Sequence, residues 1–201
     1  MRNTLMISLL ALTASPAVAS ETLQLPAFKA VELRGGGEVV LRHGPVRRVT
    51  ILEGNSAVSR LEVAGPSVRR EGGNTFRNSG ESLVIRVCRQ RCPAGYRLRV
   101  EIVAPEIAAV AISGGGTIRA EGNFPRSTAL GLAVSGGGML DARALRSASV
   151  GASVSGGGLI STHPLGSLGA SVSGGGLIRY WGNPTVGQHV RGGGGVVRAG
   201  N

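Results

Sequence analysis

Val154-Ser-Gly-Gly-Gly-Leu-Ile160 returns with small changes down the second half of the chain. Its other copies are Ile112-Ser-Gly-Gly-Gly-Thr-Ile118, Val134-Ser-Gly-Gly-Gly-Met-Leu140 and Val172-Ser-Gly-Gly-Gly-Leu-Ile178, with a degenerate Val190-Arg-Gly-Gly-Gly-Gly-Val196 last. An outlying copy, Leu33-Arg-Gly-Gly-Gly-Glu-Val39, stands near the start. Positions 113, 135, 155, 173 and 191 are separated by 22, 20, 18 and 18 residues. A fixed period of this size marks a repeat architecture, in which each unit buries its apolar face against the next.

The residues around the phrase align in columns. One position upstream stand Ile112, Val134, Val154, Val172 and Val190. Three upstream stand Val110, Leu132, Ala152, Ala170 and Gln188; five upstream stand Ala108, Leu130, Val150, Leu168 and Val186. Between them lie Ala109, Gly131, Gly151, Gly169 and Gly187, then Ala111, Ala133, Ser153, Ser171 and His189. Period two held in register predicts one strand per repeat with the first three columns inward. The glycines turn the chain, and Ile118, Leu140, Ile160, Ile178 and Val196 open the next strand. No stretch carries helical periodicity, and each glycine would cost a helix about 1 kcal/mol. The expected fold is all-β: a parallel β-solenoid or β-helix with Gly-rich turns, preceded by shorter strands and a hairpin. Its outward strand face would carry little but Gly, Ala and Ser, which makes it flat.

Upstream, strands are expected around Val31–Leu33 and Val39–Leu41, joined by Gly35-Gly36-Gly37, and over 46–52, with a weaker one at 61–63. Residues 20–30 read as an entry segment. Residues 71–81, rich in Gly, Asn and Ser, read as a loop. Two strong strands, 83–88 and 96–103, alternate apolar with charged positions as a half-exposed sheet does. Between them Cys88-Arg-Gln-Arg-Cys92 reads as a disulfide at a hairpin tip, since no further cysteine exists to complete a zinc site. The expected organisation is a signal peptide at 1–19, an N-terminal β part at 20–105 and the repeat region at 106–201. The last two form one continuous domain from residue 27.

The leader combines Arg2, an apolar run from Leu5 to Leu12 and Ala17-Val18-Ala19 before the cut. The apolar run is far shorter than the ~20 residues that span a bilayer. Export to a periplasmic or extracellular location follows, with no transmembrane segment, and the disulfide fits it. The formal net charge is +11, and Lys29 is the only lysine. Thirteen arginines fall between Arg34 and Arg99. They serve either as a solvated face that discourages edge association or as a patch for anionic envelope polysaccharide. The candidate anion-binding residues are Arg86, Arg89, Arg91, Arg97 and Arg99. Nucleic acid is not expected as a partner of an exported chain with six aromatic residues.

No catalytic, cofactor or metal site emerges. The glycine phrases lack the following Lys-Ser/Thr of a phosphate loop. Ser153 and Ser171 miss the nucleophile-elbow pattern and sit mid-strand. His43, His163 and His189 are dispersed and read as surface residues. The position after the glycines, Thr117, Met139, Leu159, Leu177 and Gly195, offers no ladder of metal ligands. A polysaccharide-cleaving site would have to draw on Glu101, Glu106, Glu121 or Asp141, the single aspartate.

The entry Phe28-Lys-Ala-Val-Glu-Leu-Arg-Gly-Gly-Gly-Glu-Val39, the repeated Ser-Gly-Gly-Gly and the ending Ile178-Arg-Tyr-Trp-Gly-Asn-Pro184 resemble the head GIN domain family over about residues 27–199. These are exported bacterial proteins that carry an auto-transporter adhesin label. The resemblance implies an all-β, solenoid-like fold and supplies no catalytic residues. Members commonly read Ser-Gly-Ser-Gly-Asp, whereas here the second serine and the aspartate are absent, and the cysteine pair is a local addition. The expected function is a non-enzymatic envelope or surface protein, adhesin-like or scaffolding. The alternatives are a polysaccharide-acting enzyme and a self-assembling structural protein. Self-association would use either the Gly/Ala/Ser face or the open solenoid end, because the sequence stops at Asn201 with no capping helix.

Overall fold

The computed structural model describes residues 20–65, 67–71, 74–78 and 81–200, with the backbone alone for 67–71 and 74–78. The expected signal peptide at 1–19 lies outside the described residues. No helix occurs among the described residues, and so none is long and apolar enough to cross a membrane. The described strands are β1 (Glu21–Leu23), β2 (Ala30–Arg34), β3 (Glu38–His43), β4 (Arg48–Glu53), β5 (Arg60–Ala64), β6 (Ser67–Glu71), β7 (Asn74–Asn78), β8 (Ser82–Arg86) and β9 (Arg99–Ala104). They continue with β10 (Ala109–Ser113), β11 (Thr117–Glu121), β12 (Ser127–Ser135), β13 (Met139–Ser155), β14 (Leu159–Ser173), β15 (Leu177–Trp181), β16 (Thr185–Arg191) and β17 (Gly195–Gly200).

All but β6 and β7 join one mixed, 15-stranded sheet. Two parallel ladders run through it. The first stacks β8, β2, β10, β12, the C-terminal half of β13, the C-terminal half of β14, and β16. The second stacks β9, β3, β11, the N-terminal half of β13, the N-terminal half of β14, β15 and β17. Each glycine phrase is the corner where the chain leaves the first ladder and enters the second. Each ladder therefore holds seven rungs, spanning about 29 Å at ordinary strand spacing. The sequence columns are the pairing registers: Val134, Val154, Val172 and Val190 are successive partners, as are Leu140, Ile160 and Ile178.

The inward side chains of both ladders meet in one core. Ile112, Val134, Val154, Val172, Ile118, Leu140, Ile160 and Ile178 are all at most 1% exposed. Each such side chain contributes roughly 1.5–3 kcal/mol on burial, which is the main force stacking one rung on the next.

The corner repeats because each glycine in it meets a different demand. Gly156 has φ +107°, a conformation L side chains rarely adopt, and a Cβ there would lie 2.8 Å from the Gly136 carbonyl oxygen. Gly158 is buried, and a Cβ on it would meet Val134 Cγ1 and the Gly138 oxygen. A Cβ on Gly157 would meet nothing within 4 Å. That open middle position is the one where the resembling family carries its second serine. Around the corner the rungs stay hydrogen-bonded: Gly157 N–H donates to Gly136 and Leu159 N–H to Gly138.

The structure departs from the sequence expectations at one end. The sheet is mixed, not wholly parallel: β1 pairs with β4, β4 with β9, and β5 with β8, all antiparallel. Residues 20–30 include strand β1. β8 and β9 form no hairpin; they belong to different ladders, and Val87 to Leu98 is an enlarged corner between them. The turn-rich stretch expected as a loop carries β7 and the end of β6, which pair antiparallel. Ala108 is exposed, and Ile107 (5% exposed) takes the buried place instead. The column five positions upstream of the phrase is inward only from Leu130 onward. The outlying phrase at Leu33–Val39 is the second rung, lying between β8–β9 and β10–β11.

Candidate functional site

The enlarged corner of the terminal rung gathers the arginines singled out above. Its Cys88 and Cys92 are joined in a disulfide. A turn over 54–59 packs against it through Tyr96. The Tyr96 hydroxyl accepts from Asn55 N–H at 3.0 Å and lies 2.8 Å from Ser59 Oγ, and Ser59 in turn donates to the Val87 carbonyl at 2.7 Å. Ser59 is fully buried and satisfied by these bonds. Gly54 is required here: its φ is +99°, and a Cβ would lie 2.6 Å from the Tyr96 hydroxyl. No periodicity announces this hub, because it joins two irregular segments.

Among the candidates, Arg89 is tied down: Nη2 donates to the Ser56 carbonyl at 3.2 Å and Nε to that of Ser59 at 3.4 Å. Arg86 lies 3.9 Å from Glu62, and Arg99 lies 3.5 Å from Glu38. Arg91 and Arg97 are exposed and have no ion pair among the described residues. All five stand on or beside one rung, and Arg91 and Arg97 are the two without an ion pair among the described residues. Cys88→Ser should cost about 2 kcal/mol in the chain-entropy model. Thermal melts should show that loss, and a melt unchanged on reduction would mean that the Tyr96 hub alone sets the corner.

The carboxylates that an enzyme would need are neutralised on the outer sheet surface. Glu106 pairs with Lys29 at 2.7 Å, and hydrogen bonding and charge from Lys29 hold its carboxyl below the usual range. Arg42 reaches Glu101 and Glu121, each at 3.1 Å. Arg143 grips Asp141 at both oxygens, 2.8 and 2.6 Å. Burial acts to raise the Asp141 pKa, but the Arg143 hydrogen bonds and the charges of Arg143 and Arg119 together bring it below the usual carboxylate range. A general acid needs the opposite shift. The stability this carboxylate contributes is present above the ordinary carboxylate range and is lost as pH falls through its lowered value. Arg143 also stacks over Trp181 at 5.0 Å.

The flat face is open in the single chain. Gly131, Gly151, Gly169 and Gly187 are exposed, and the last three have nothing within 4 Å of an added Cβ. With Ser153, Ser171 and His189 they line an open depression of about 510 Å³. His43 and His189 are exposed, whereas His163 is half-buried, its pKa lowered by burial and by Arg146. Among the described residues no three His, Cys, Asp or Glu side chains group as metal ligands. Gly151→Thr should therefore be silent or stabilising by up to ~1 kcal/mol, since a β-branched residue replaces glycine in an open strand. Gly151→Arg should be nearly silent for the same steric reason. Denaturant titration checks both, and a loss above about 1 kcal/mol would mean the face is covered.

Residues 97–184 match the family model described as "Putative auto-transporter adhesin, head GIN domain". Among solved structures, a "putative adhesin" from Bacteroides fragilis is 16% identical with a TM-score of 0.56, covering 92% of this chain and 98% of that one. At that identity the likeness shows a shared fold. Two proteins of Parabacteroides distasonis, a "putative lipid binding protein" and a "putative adhesin", are 14% and 17% identical. Each has a TM-score of 0.36 and covers 90% of this chain and 96% of its own. No curated protein matches the chain.

Proposed function

We propose, on the premise that residues 97–184 belong to the head GIN domain family, that this protein is an exported, non-enzymatic, adhesin-like component of the cell envelope. In this reading the two ladders form a β-solenoid, a stiff rod that presents its Arg-rich terminal rung to anionic envelope polysaccharide. One observation carries the reading: Arg91 and Arg97 stand exposed, with no ion pair among the described residues, on the rung that also carries Arg86, Arg89 and Arg99. Elsewhere Arg42 bridges Glu101 and Glu121, and Arg143 holds Asp141. A surplus of fixed positive charge at one end attracts polyanions over roughly a Debye length, about 8 Å at physiological salt. The ion-paired state of Glu101, Glu106, Glu121 and Asp141 supports the non-enzymatic half of the proposal.

The test is retention of the protein on immobilised lipopolysaccharide, teichoic acid and a sulfated glycan, with neutral dextran as control. Binding to the polyanions that weakens steadily with added salt is expected. Equal retention on neutral dextran, or none on any polyanion at low salt, overturns the proposal.

A further inference from the structure

The two ends of the stack are finished differently. At the arginine end, antiparallel β5 covers β8, antiparallel β4 covers β9, and β1 in turn pairs antiparallel with β4. Arg60 and Glu62 on β5 pair at 2.8 Å, which is ordinary edge protection. At the other end, among the described residues, β16 pairs only with β14, and β17 only with β15. Seven residues of one strand and six of the other offer unpaired edges in the same rung. Val190 is 38% exposed, whereas the Val172 beneath it is fully buried. Gln188 stands in a column otherwise filled by Val110, Leu132, Ala152 and Ala170.

We infer that the β16–β17 edge is a self-association surface whose occupant is the same edge of a second copy, related by a two-fold axis lying across the rung. The sequence of β16 is self-complementary about Gln188. Antiparallel pairing centred there sets Val186 opposite the partner copy's Val190, and the reverse, on the inward face. It sets Gln188 opposite its own copy, where two amides hydrogen-bond and fix the register, as a single buried polar residue does in coiled coils. On the outward face Gly187 meets His189, which leaves room for the imidazole. The same axis lays β17 beside its copy, with Val196 on the inward face. At the opposite end the outermost strands are β5 and β1, and β5 carries the charged Arg60–Glu62 pair that discourages edge pairing, so the contact is taken as isologous and closes at two copies. This inference does not depend on what the arginine end binds.

Sedimentation of the full chain should show a monomer–dimer equilibrium with a Kd on the order of micromolar, as befits an edge contact of modest area. Val190→Lys should weaken it about 10- to 100-fold, by placing like charges across the inward face. Gln188→Cys tests the register. Directly opposed antiparallel residues lie within disulfide range, so mild oxidation should link this variant into covalent dimers. Ser153→Cys, on the flat face, should stay monomeric under the same treatment. Gln188 is exposed in the single chain, so both cysteine variants should keep the parent β-sheet spectrum. A wild-type chain that stays monomeric at about 100 µM overturns the inference. So does cross-linking through Ser153→Cys but not through Gln188→Cys, which would place the contact on the flat face.

Discussion

Gly158→Ala should lower stability by about 3 kcal/mol, while Gly157→Ala, one residue away, should change it by less than about 0.5 kcal/mol. The difference lies in what the new methyl meets. At 158 it is driven onto Val134 Cγ1 and the Gly138 carbonyl, and a backbone oxygen held in a ladder has nowhere to retreat. At 157 it points into open space and the N–H bond to Gly136 is kept. Gly156→Ala should fall with Gly158→Ala: it adds left-handed strain of about 1–3 kcal/mol to a close approach on Gly136. For a chain of this size a 3 kcal/mol loss is roughly 6–12 °C in Tm. Thermal melts of the three variants decide it. Equal losses at 157 and 158 would mean that the glycines matter for chain flexibility and not for rung spacing.

Reversing the two free charges, Arg91→Glu with Arg97→Glu, should weaken polyanion binding by about 10²-fold or more. Each positive charge near an anionic surface is worth about 1 kcal/mol, and two reversals change four units of charge. The control is Arg126→Glu with Arg179→Glu, which alters net charge equally but away from the terminal rung. It should weaken binding only a few-fold. The fold should tolerate both pairs, since all four side chains are exposed. Affinity measured against the same sulfated glycan at two salt concentrations separates the cases. Equal losses from both pairs would mean that binding follows net charge alone and that the terminal rung is no site.

What the sequence disclosed was whatever repeats. Val134, Val154 and Val172 occupy one column because they stack in one register, and a core of stacked identical residues writes its period into the chain. The phrase at Leu33–Val39 shows the limit. Its residues name the corner, but not that β8 and β9, later in the chain, lie outside it in space. Chain order and spatial order diverge there, and no local pattern records the divergence. The corner closed by Cys88 and Cys92 was legible as a disulfide from composition and spacing, yet not as a corner. Its flanking strands alternate as hairpin strands do, and alternation is blind to which ladder a strand joins. The Tyr96–Ser59 contact was silent for a related reason: it pairs two irregular turns. Among the arginines, the sequence offers five candidates alike, and only the positions of Glu62, Glu38 and the Ser56 and Ser59 carbonyls separate the engaged guanidinium groups from the others.

The in-register step from Ser155 to Ser173 is a whole number of turns of the chain. Removing residues 156–173, or copying them, rejoins the strands with every column intact and leaves both ends untouched. Each such event changes the reach between the arginine end and the β16–β17 edge by one strand spacing, about 4.8 Å. The length of this molecule is therefore a quantity that unequal recombination can adjust in equal steps, as a ruler is lengthened by whole divisions.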